Sequence, residues 1–304
     1  MDTYKKQLKL LGNNIMKKIL YLILAIIVTT ISCNKDNPSI DPLTNLPIQT
    51  LTTDTASTAC QLISIQQING NTVYNKLSYQ RDASNNTLSL KYYDSVTNTI
   101  EYNYSFSYNN DSIQYNSNSR LIRDPKTKNI IKYSTVENVT SSLVENVYYT
   151  YAYDATNRLT QKQTFYNTSI KPDYITNYTY DGNNLSSCKL YLGDGKTLIM
   201  QTTFTYDVTV TIKPWIYLYA DAFECYSFLD GFSFGNKPTN PVMKIDTQVF
   251  DSNTSVQIDE WITTFGSYVY STDKYVLQVS AAGDLQQGLG FIIGTMRFYY
   301  QCKN

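Results

Sequence analysis

The sequence predicts an all-β protein, and two observations lead to this fold class. Tyrosine is heavily over-represented, with 29 of 304 residues, and threonine, serine and asparagine are abundant beside it. Tyrosine and threonine suit the half-buried surface of a pleated sheet, whereas asparagine favours turns. A short aromatic pattern also recurs along the chain at the spacing of a β-hairpin. We therefore expect an antiparallel sheet of consecutive hairpins, arranged as a curved sheet, a half-barrel or a sandwich.

The recurring pattern is an aromatic-x-Tyr strand end that runs into Asp and Asn and then into the apolar start of the next strand. Two aromatics at positions i and i+2 point to one face of a strand. Asp and Asn bond their own main chain and tolerate left-handed backbone, which closes the turn. Tyr153, Tyr180 and Tyr206 lie 27 and 26 residues apart, the length of a two-stranded unit. The predicted turns are centred on Asn109-Asn110, Ala155-Thr156, Gly182-Asn183 and Thr272-Asp273.

These units resemble the YD repeat of Rhs-type proteins, Tyr-Asp-x-x-Gly-Arg-Leu, and the nearest copy runs from Tyr153 to Leu159. Asn157 replaces the usual Gly, a substitution that left-handed backbone tolerates. From about Cys60 to the C-terminus, the arrangement is similar to lipoproteins of Bacteroidota that are built from such hairpins. The resemblance implies a β fold and a place in the cell envelope. Rhs shells have many more repeats than this chain, so a toxin-enclosing role is not expected.

One segment departs from the hairpin pattern. Trp215 to Gly231 is almost continuously aromatic and apolar, and Gly231 suits a helix C-cap. We predict one short helix at 216–229, packed on the sheet. No change of composition marks a second domain, so residues 59–304 are predicted to form a single β domain.

The N-terminal residues predict export. Met16-Lys17-Lys18 precede a nearly unbroken apolar run from Ile19 to Val28, which is too short to span a bilayer. A cationic start followed by a short apolar run is the layout of a secretory signal peptide. We predict that residues 1–32 are this signal and that residues 1–15 lie upstream of the true start.

Cys33 directly follows Ser32, and this pair resembles the lipobox of bacterial lipoproteins. In that family the cysteine thiol is alkylated with diacylglycerol and becomes the first mature residue. We therefore predict lipidation of Cys33, the alternative being a general secretion signal cut nearby. Residues 33–58 contain three prolines among polar residues and are expected to form an extended tether. The predicted location is the outer membrane, with the periplasmic and cell-surface faces both left open by a weak surface-export signal at Lys35-Asp36.

Charge and composition exclude several functions. Removing the leader takes away five of 25 basic residues and one of 25 acidic residues, so the mature chain has a net charge of about −4. No basic stripe supports nucleic-acid binding. The chain has no histidine, which removes Ser-His and Cys-His nucleophile pairs and every zinc site built on imidazole.

Four cysteines follow the anchor: Cys60, Cys188, Cys225 and Cys302. An even number in an exported chain permits disulfides, in three pairings, and four buried thiols are the alternative. No two of them have the Cys-x-x-Cys spacing of a metal cluster or a redox site. We expect no metal and no cofactor.

The remaining candidates for chemistry are carboxylates, turns and aromatics. Asp259 or Glu260 could pair with Asp221 or Glu224 as in glycosidases, but adjacent strand residues face opposite ways, and solvated strand charges are the simpler interpretation. Asp181–Asn184 and Gly193-Asp194-Gly195 lack the acidic ligands of a calcium loop. Trp215 and Trp261 could stack on sugar rings, although core packing accounts for such aromatics equally well.

The sequence therefore predicts a lipid-anchored lipoprotein that is a non-catalytic binding or structural module. Its expected partners are the membrane, through the N-terminal lipid, and a glycan or an envelope protein, but no nucleic acid. Two alternatives stay open. One is a secreted hydrolase that uses carboxylates, and the other is a carrier whose curved sheet holds an apolar ligand.

Overall fold

The computed structural model describes residues 60–69, 72–82, 84, 86–94, 97, 99–115, 117–138, 144–216, 218, 232–284 and 293–302. Contacts within the chain divide it into two units. The first comprises Met1–Thr52 and Glu137–Glu145, most of which lies outside the described residues. The second comprises Thr53–Val136 and Asn146–Asn304 and forms a β-barrel. The predicted signal, anchor and tether fall outside the described residues, so they remain predictions.

Sixteen strands are found in the described residues, and they form a closed antiparallel barrel in chain order. The strands are β1 (Cys60–Asn69), β2 (Thr72–Arg81), β3 (Thr87–Asp94), β4 (Thr99–Asn109), β5 (Ser112–Tyr115), β6 (Ser119–Arg123), β7 (Ile130–Asn138), β8 (Val144–Tyr153), β9 (Leu159–Tyr166), β10 (Tyr174–Asp181), β11 (Asn184–Leu192), β12 (Leu198–Tyr206), β13 (Val242–Phe250), β14 (Gln257–Tyr270), β15 (Val276–Gly283) and β16 (Gly294–Cys302).

The prediction of an all-β protein made of consecutive hairpins is confirmed, but the open curved sheet, half-barrel or sandwich is wrong. The first and last strands pair along their length, from Cys60↔Cys302 to Ile68↔Thr295, and this pairing closes the sheet. A hairpin pattern in the sequence predicts only that two consecutive strands pair. The pairing of β1 with β16 joins residues more than 200 positions apart, so no local pattern predicts it.

The predicted helix at 216–229 is not found. Ile216 and Leu218 are the described residues of that span, and both have irregular backbone. The rest of the span lies outside the described residues, and no described element of the chain is a helix. A continuous apolar run is ambiguous between a buried helix and other buried segments, because it has no period.

The two ends of the barrel differ in what they carry. We call the end that holds Cys60 and Cys302 the terminal end, and the opposite end the distal end. All four predicted turns are present, and all lie at the terminal end. Asn157 has a φ of 67° and Gly182 a φ of 57°, so both take the left-handed conformation that turn chemistry requires.

The side chains alternate between an apolar inner face and a polar outer face. On β4, Ser105 and Ser107 are exposed while Phe106 between them is buried. On β12, Thr203 and Thr205 are exposed on either side of buried Phe204. The inner faces contribute buried aromatic and aliphatic residues to one continuous core.

A tyrosine at the terminal end of an even-numbered strand repeatedly bonds the odd-numbered strand before it. The Tyr206 hydroxyl donates to the Leu185 carbonyl over 2.8 Å, and the Tyr268 hydroxyl to the Val242 carbonyl over 2.6 Å. The same bond is made by Tyr108 to Thr87, Tyr153 to Ile130, Tyr180 to Leu159 and Tyr300 to Val276. We call these bonds the tyrosine clasps. Each one ties together two strands that meet at the distal end.

The segment between β12 and β13, residues 207–241, lies partly inside the barrel, and we call it the inner segment. Trp215 packs edge-on against Phe298 of β16, with ring centroids 5.0 Å apart. Phe232 contacts Phe106 of β4 at 5.1 Å in the same way. Phe234 packs on β8 in addition, and Ile216 is buried. The described parts of this segment therefore touch strands from well-separated parts of the wall.

Asparagine side chains of the turns hold the returning limb of the inner segment. The Asn157 side chain donates to the Asn236 side chain, and the Asn236 amide donates to the Asn157 carbonyl. Asn184 donates to Asn240 over 2.8 Å and accepts from the Thr239 amide. The residues beside these two turns thus close their hairpins and also hold residues 236–240 of the inner segment.

Candidate functional site

The structure describes only some of the residues that the sequence singles out. Cys33, Asp221, Glu224 and Cys225 lie outside the described residues. Cys60 and Cys302 form a disulfide, with Cα atoms 4.0 Å apart, across the seam between the first and last strands. Cys188 is a buried free thiol, and its burial raises the pKa of the thiol to about 11. This thiol is therefore protonated and unreactive near neutral pH.

Of the carboxylates proposed for acid–base work, Asp259 and Glu260 are described, whereas Asp221 and Glu224 lie outside the described residues. Asp259 and Glu260 are both exposed on β14, as expected for solvated strand charges. Asp259 accepts a hydrogen bond from the Trp261 indole N–H over 3.0 Å. Glu260 lies within weak hydrogen-bond reach of Gln248, at 3.4 Å. Within the described residues, neither belongs to a group of three or more acidic or cysteine side chains that could hold a metal ion.

The calcium-like segments are turns in the structure. Asp194 accepts hydrogen bonds from the side chain and the backbone of Thr197 and from the Lys196 amide, and these bonds lower its pKa to about 2. The Asn184 side chain is hydrogen-bonded to Thr239 and Asn240 of the inner segment. Among the described residues, no group of three or more acidic or cysteine side chains could hold a metal ion.

The inner face of the barrel is closely packed where the described part of the inner segment meets β9 to β11. The cavity lined by Tyr178, Tyr180, Leu218 and Phe234 has a volume of about 10 Å³, less than one water molecule. Trp215, a candidate for sugar stacking, is buried against Phe298. The tyrosine face that a carrier would use to cup an apolar ligand is therefore occupied by core packing.

The inner face also buries one cation. Lys162 is 7% exposed, and its Nζ lies 5.3 Å from the centre of the Tyr149 ring, which attracts a cation through its face. Thr176, its register partner on β10, is also buried, and further along the sheet buried Thr202 and Thr247 share a hydrogen bond of 2.9 Å. The distal half of the interior is therefore more polar than the aromatic terminal half.

A larger cavity, of about 560 Å³, opens on the surface at the terminal end. It is lined by residues 209–213 of the inner segment and by Asp273 and Lys274 of the β14–β15 turn. Its walls are short loops, and Lys213 and Lys274 are both exposed. It has no cluster of groups for chemistry and no deep apolar floor, so it does not resemble a carrier site.

The distal end carries most of the exposed apolar side chains. Eight large apolar residues are exposed in the described part of the chain, and two of them, Val208 and Val269, lie away from the distal end. The other six surround the distal end, and we call them the distal ring: Ile100, Val136, Ile170, Val256, Ile258 and Ile293. Exposed apolar residues gathered in one region mark an interaction site more often than scattered ones do.

The distal end is also acidic. Its described connections carry Lys171 and Lys196 as basic residues. The acidic residues there are Asp94, Asp173, Asp194, Asp251 and Asp284, with Asp259 and Glu260 on the adjoining strand. Sequence reasoning missed this site, because its members come from connections that are far apart in the chain. The local signal in the sequence was Val256 and Ile258 just before Asp259-Glu260, where polar residues are usual.

Neither protein-family models nor curated proteins match this chain. Solved structures do. A porin-like protein from Bacteroides uniformis ATCC 8492 aligns over 80% of this chain and 99% of its own, with a TM-score of 0.55 and 11% identity. A porin-like protein from Bacteroides vulgatus ATCC 8482 has the same coverage and identity, with a TM-score of 0.50. The barrel fold resembles theirs. At this identity the likeness concerns the fold alone.

No helix in the described residues is long and apolar enough to cross a membrane.

Proposed function

We propose that this protein is a lipid-anchored, non-catalytic binding module of the outer membrane whose barrel stands outside the bilayer and presents its distal end to a partner. One observation carries the proposal: the barrel is apolar inside and polar outside. A barrel that spans a membrane has the opposite pattern, with an apolar outer band about 25 Å tall and a polar interior.

The middle of the barrel wall is unsuited to lipid. Its outer face exposes Ser105, Ser107, Thr203, Thr205 and Thr264 at the level of the buried core. Moving one hydroxyl group from water into hydrocarbon without a hydrogen-bond partner costs roughly 4–8 kcal/mol, judged from transfer to cyclohexane. A wall with such residues on many strands is stable in water.

The interior is equally unsuited to conduction. Trp215, Phe232 and Phe234 of the inner segment pack on three different strands, which places aromatic rings inside the terminal half of the barrel. A porin interior is a water-filled channel with polar walls. The likeness to porin-like structures therefore supports the strand arrangement and not a channel.

Cys60, the first described residue, and the distal ring lie at opposite ends of the barrel. Cys60 begins β1 at the terminal end, so a tether formed by residues 33–58 joins the barrel there. A lipid on Cys33 would thus be joined to the barrel by the chain that enters at its terminal end, and the distal ring stays free for a partner. Both faces of the outer membrane are compatible with this arrangement.

The two alternative functions have less support. A carrier needs an open apolar cavity, and the inner face of the described barrel is packed. A hydrolase needs convergent carboxylates, and Asp259 and Glu260 are exposed strand charges, while their proposed partners Asp221 and Glu224 lie outside the described residues. For the ligand itself, a glycan is a second candidate beside an envelope protein, because the half-buried Trp261 lies at the distal end.

The test replaces residues 1–33 by a cleavable secretion signal without a lipidation cysteine. We expect the natural chain to be found in membranes with a diacylglycerol-modified Cys33, as measured by mass spectrometry. The altered chain should be soluble after osmotic release, because only the lipid holds it. A barrel that stays in membranes after alkaline carbonate extraction without its lipid would contradict the proposal.

Conductance provides a second, independent measurement. Purified protein added to planar bilayers should give no discrete channel openings, since Trp215, Phe232 and Phe234 pack against the inner face of the barrel. Stepwise openings given by the folded natural protein, with Trp215 and Phe232 intact, but not by the heat-unfolded protein would show a folded pore and overturn the proposal.

A further inference from the structure

The outer wall of the barrel from β9 to β13 carries a row of polar side chains on neighbouring strands. Its members are register partners in turn: Gln161 with Asn177, Asn177 with Lys189, Lys189 with Gln201, and Gln201 with Gln248. We call these five residues the amide row, since four of them are amides. All five are half-buried. Neighbouring strands lie about 4.8 Å apart, so the row extends for about 19 Å across the wall.

The alternation along each strand places the amide row on the outer face. Residues next to its members in the chain are buried and point inward, because successive side chains of a strand face opposite ways. These inward-facing neighbours are Lys162, Tyr178, Cys188, Thr202 and Thr247. The row is therefore open to water, with the packed core behind it.

The first amides of the row are already bonded to one another. Gln161 Nε2 donates to Asn177 Oδ1 over 3.0 Å, and Gln161 Oε1 accepts from Gln163 Nε2 over 2.9 Å. An amide side chain has two N–H groups and two acceptor lone pairs, so each of these residues keeps further donors and acceptors for a ligand. Side chains that hold each other in place lose less rotational freedom when a ligand binds.

An apolar pair adjoins the amide row on its distal side. Ile175 of β10 and Tyr191 of β11 are register partners, and both are half-buried. They lie two residues from Asn177 and Lys189 along their strands, so they share the outer face with the row. An aromatic ring in this position offers a flat, rigid surface beside hydrogen-bonding groups, as aromatic residues do at binding interfaces.

The charges on this part of the wall are balanced. Lys244 pairs with Asp246 over 2.8 Å, and Glu260, the register partner of Gln248, matches Lys189 in number. Nucleic acid and anionic lipid are attracted by basic surfaces, and a protein partner usually buries an apolar centre. A chain of uncharged hydroxyl groups suits the amide row better, because a hydroxyl both donates and accepts hydrogen bonds.

We propose that the amide row and the Ile175–Tyr191 pair bind an uncharged glycan chain, an inference that rests on the barrel standing outside the bilayer. The apolar face of one sugar ring stacks on Tyr191. Hydroxyl groups of that ring and its neighbours bond the free amide groups of Gln161 and Asn177 and continue toward Gln201. This site lies on the wall and is separate from the distal ring.

The experiment uses the mature lipidated chain in micelles of a sugar-free detergent, with binding read by fluorescence anisotropy. The probes are labelled cellohexaose, maltohexaose, mannohexaose and xylohexaose, and a hexamer of galacturonic acid is the charged control. We expect at least one neutral probe to bind and the acidic probe to bind more weakly. The affinity for the neutral probe should change by less than about twofold between about 50 mM and about 500 mM salt, because no ion pair is made.

Variants then locate the site. Tyr191→Ala removes the ring and should weaken binding by at least about tenfold, whereas Tyr191→Phe keeps the ring and should bind within about twofold of the natural chain. Gln161→Met removes the amide at similar length and should weaken binding by about threefold or more. Gln301→Met, at an exposed glutamine of β16, is the matched control and should leave the affinity within about twofold.

Binding of none of the four neutral probes, or equal binding of the acidic probe, would overturn the proposal. Unchanged affinity in Tyr191→Ala and in Gln161→Met would place the glycan elsewhere and also overturn it. If Tyr191→Ala does not fold, Gln161→Met against Gln301→Met supplies the test. Membrane insertion or conductance would contradict the proposed function, whereas these binding outcomes bear on the outer wall alone.

Discussion

Asp154 and Asn157 divide the closure of one hairpin turn between them. Asp154 accepts hydrogen bonds from the Arg158 and Thr156 amides and from both of their side chains, and these bonds hold its pKa well below the usual range. Asn157 supplies the left-handed backbone, with a φ of 67°. The Asp position recurs in the same role at Asp124, Asp194 and Asp251. Turn chemistry thus accounts for most aspartates at the ends of strands.

At residue scale, we predict that Gly182→Val destabilises the protein by roughly 1 kcal/mol or more. Gly182 has a φ of 57°, and an added Cβ would meet no atom within 4 Å, so the cost comes from backbone strain alone. Gly266→Val is the matched control, because its Cβ also meets nothing within 4 Å and its φ is not in the left-handed region. Urea unfolding measures both, and an equal loss in the two variants would contradict the strain argument.

At the scale of strands, the two aromatics of each aromatic-x-Tyr unit have different roles. The first fills the core, as Phe204 does at 7% exposure. The second, here Tyr206, lies half-buried against the core and donates its hydroxyl to the preceding strand. The clasps therefore hold strands together at the terminal end, while the connecting turn holds the same pair at the distal end.

We predict that Tyr206→Phe lowers the free energy of unfolding by about 1 kcal/mol at neutral pH, the net value of one hydrogen bond. Burial raises the pKa of Tyr206 in the folded chain above its unfolded value of about 10. The stabilisation is therefore fully present below pH 10 and is lost as the pH rises, because the unfolded chain ionises first. The difference between the natural chain and Tyr206→Phe should shrink above pH 10.

Tyr191→Phe is the control for this experiment, because the described structure shows no hydrogen bond from the Tyr191 hydroxyl and no clasp at that position. It should change the free energy of unfolding by less than about 0.5 kcal/mol. A gap between Tyr206→Phe and the natural chain that stays constant from pH 7 to pH 11 would show that ionisation of Tyr206 is not linked to folding.

At the scale of the whole molecule, the seam between β1 and β16 closes the barrel, and the Cys60–Cys302 disulfide crosses it. The cross-link joins residues 242 apart, so it removes much of the conformational freedom of the unfolded chain. We predict that the double variant Cys60→Ser, Cys302→Ser is less stable by about 2–5 kcal/mol. Reductant should lower the urea midpoint of the natural chain to that of the variant and leave the variant unchanged. A variant as stable as the oxidised natural chain would show that strand pairing alone secures the seam.

Local chemistry in the sequence was sufficient to predict the β class, the hairpins and the positions of the turns. The Asn157 and Gly182 conformations and the shared face of each aromatic pair follow from the preferences of those residues within a few positions of the chain. Such interactions act between neighbours, so a sequence pattern reports them directly.

Only the tertiary structure decided that the sheet closes, that Trp215, Ile216 and Phe232 are buried against the barrel, and that the distal ring exists. Each of these joins residues that are distant in the chain, as Cys60 is from Cys302 and Phe232 is from Phe106. Closure depends on the number of strands and on the pairing of the first with the last, and those are properties of the assembled sheet. The sequence by itself determined which strands form, because local forces build them, whereas long-range pairing determined which surfaces they leave exposed.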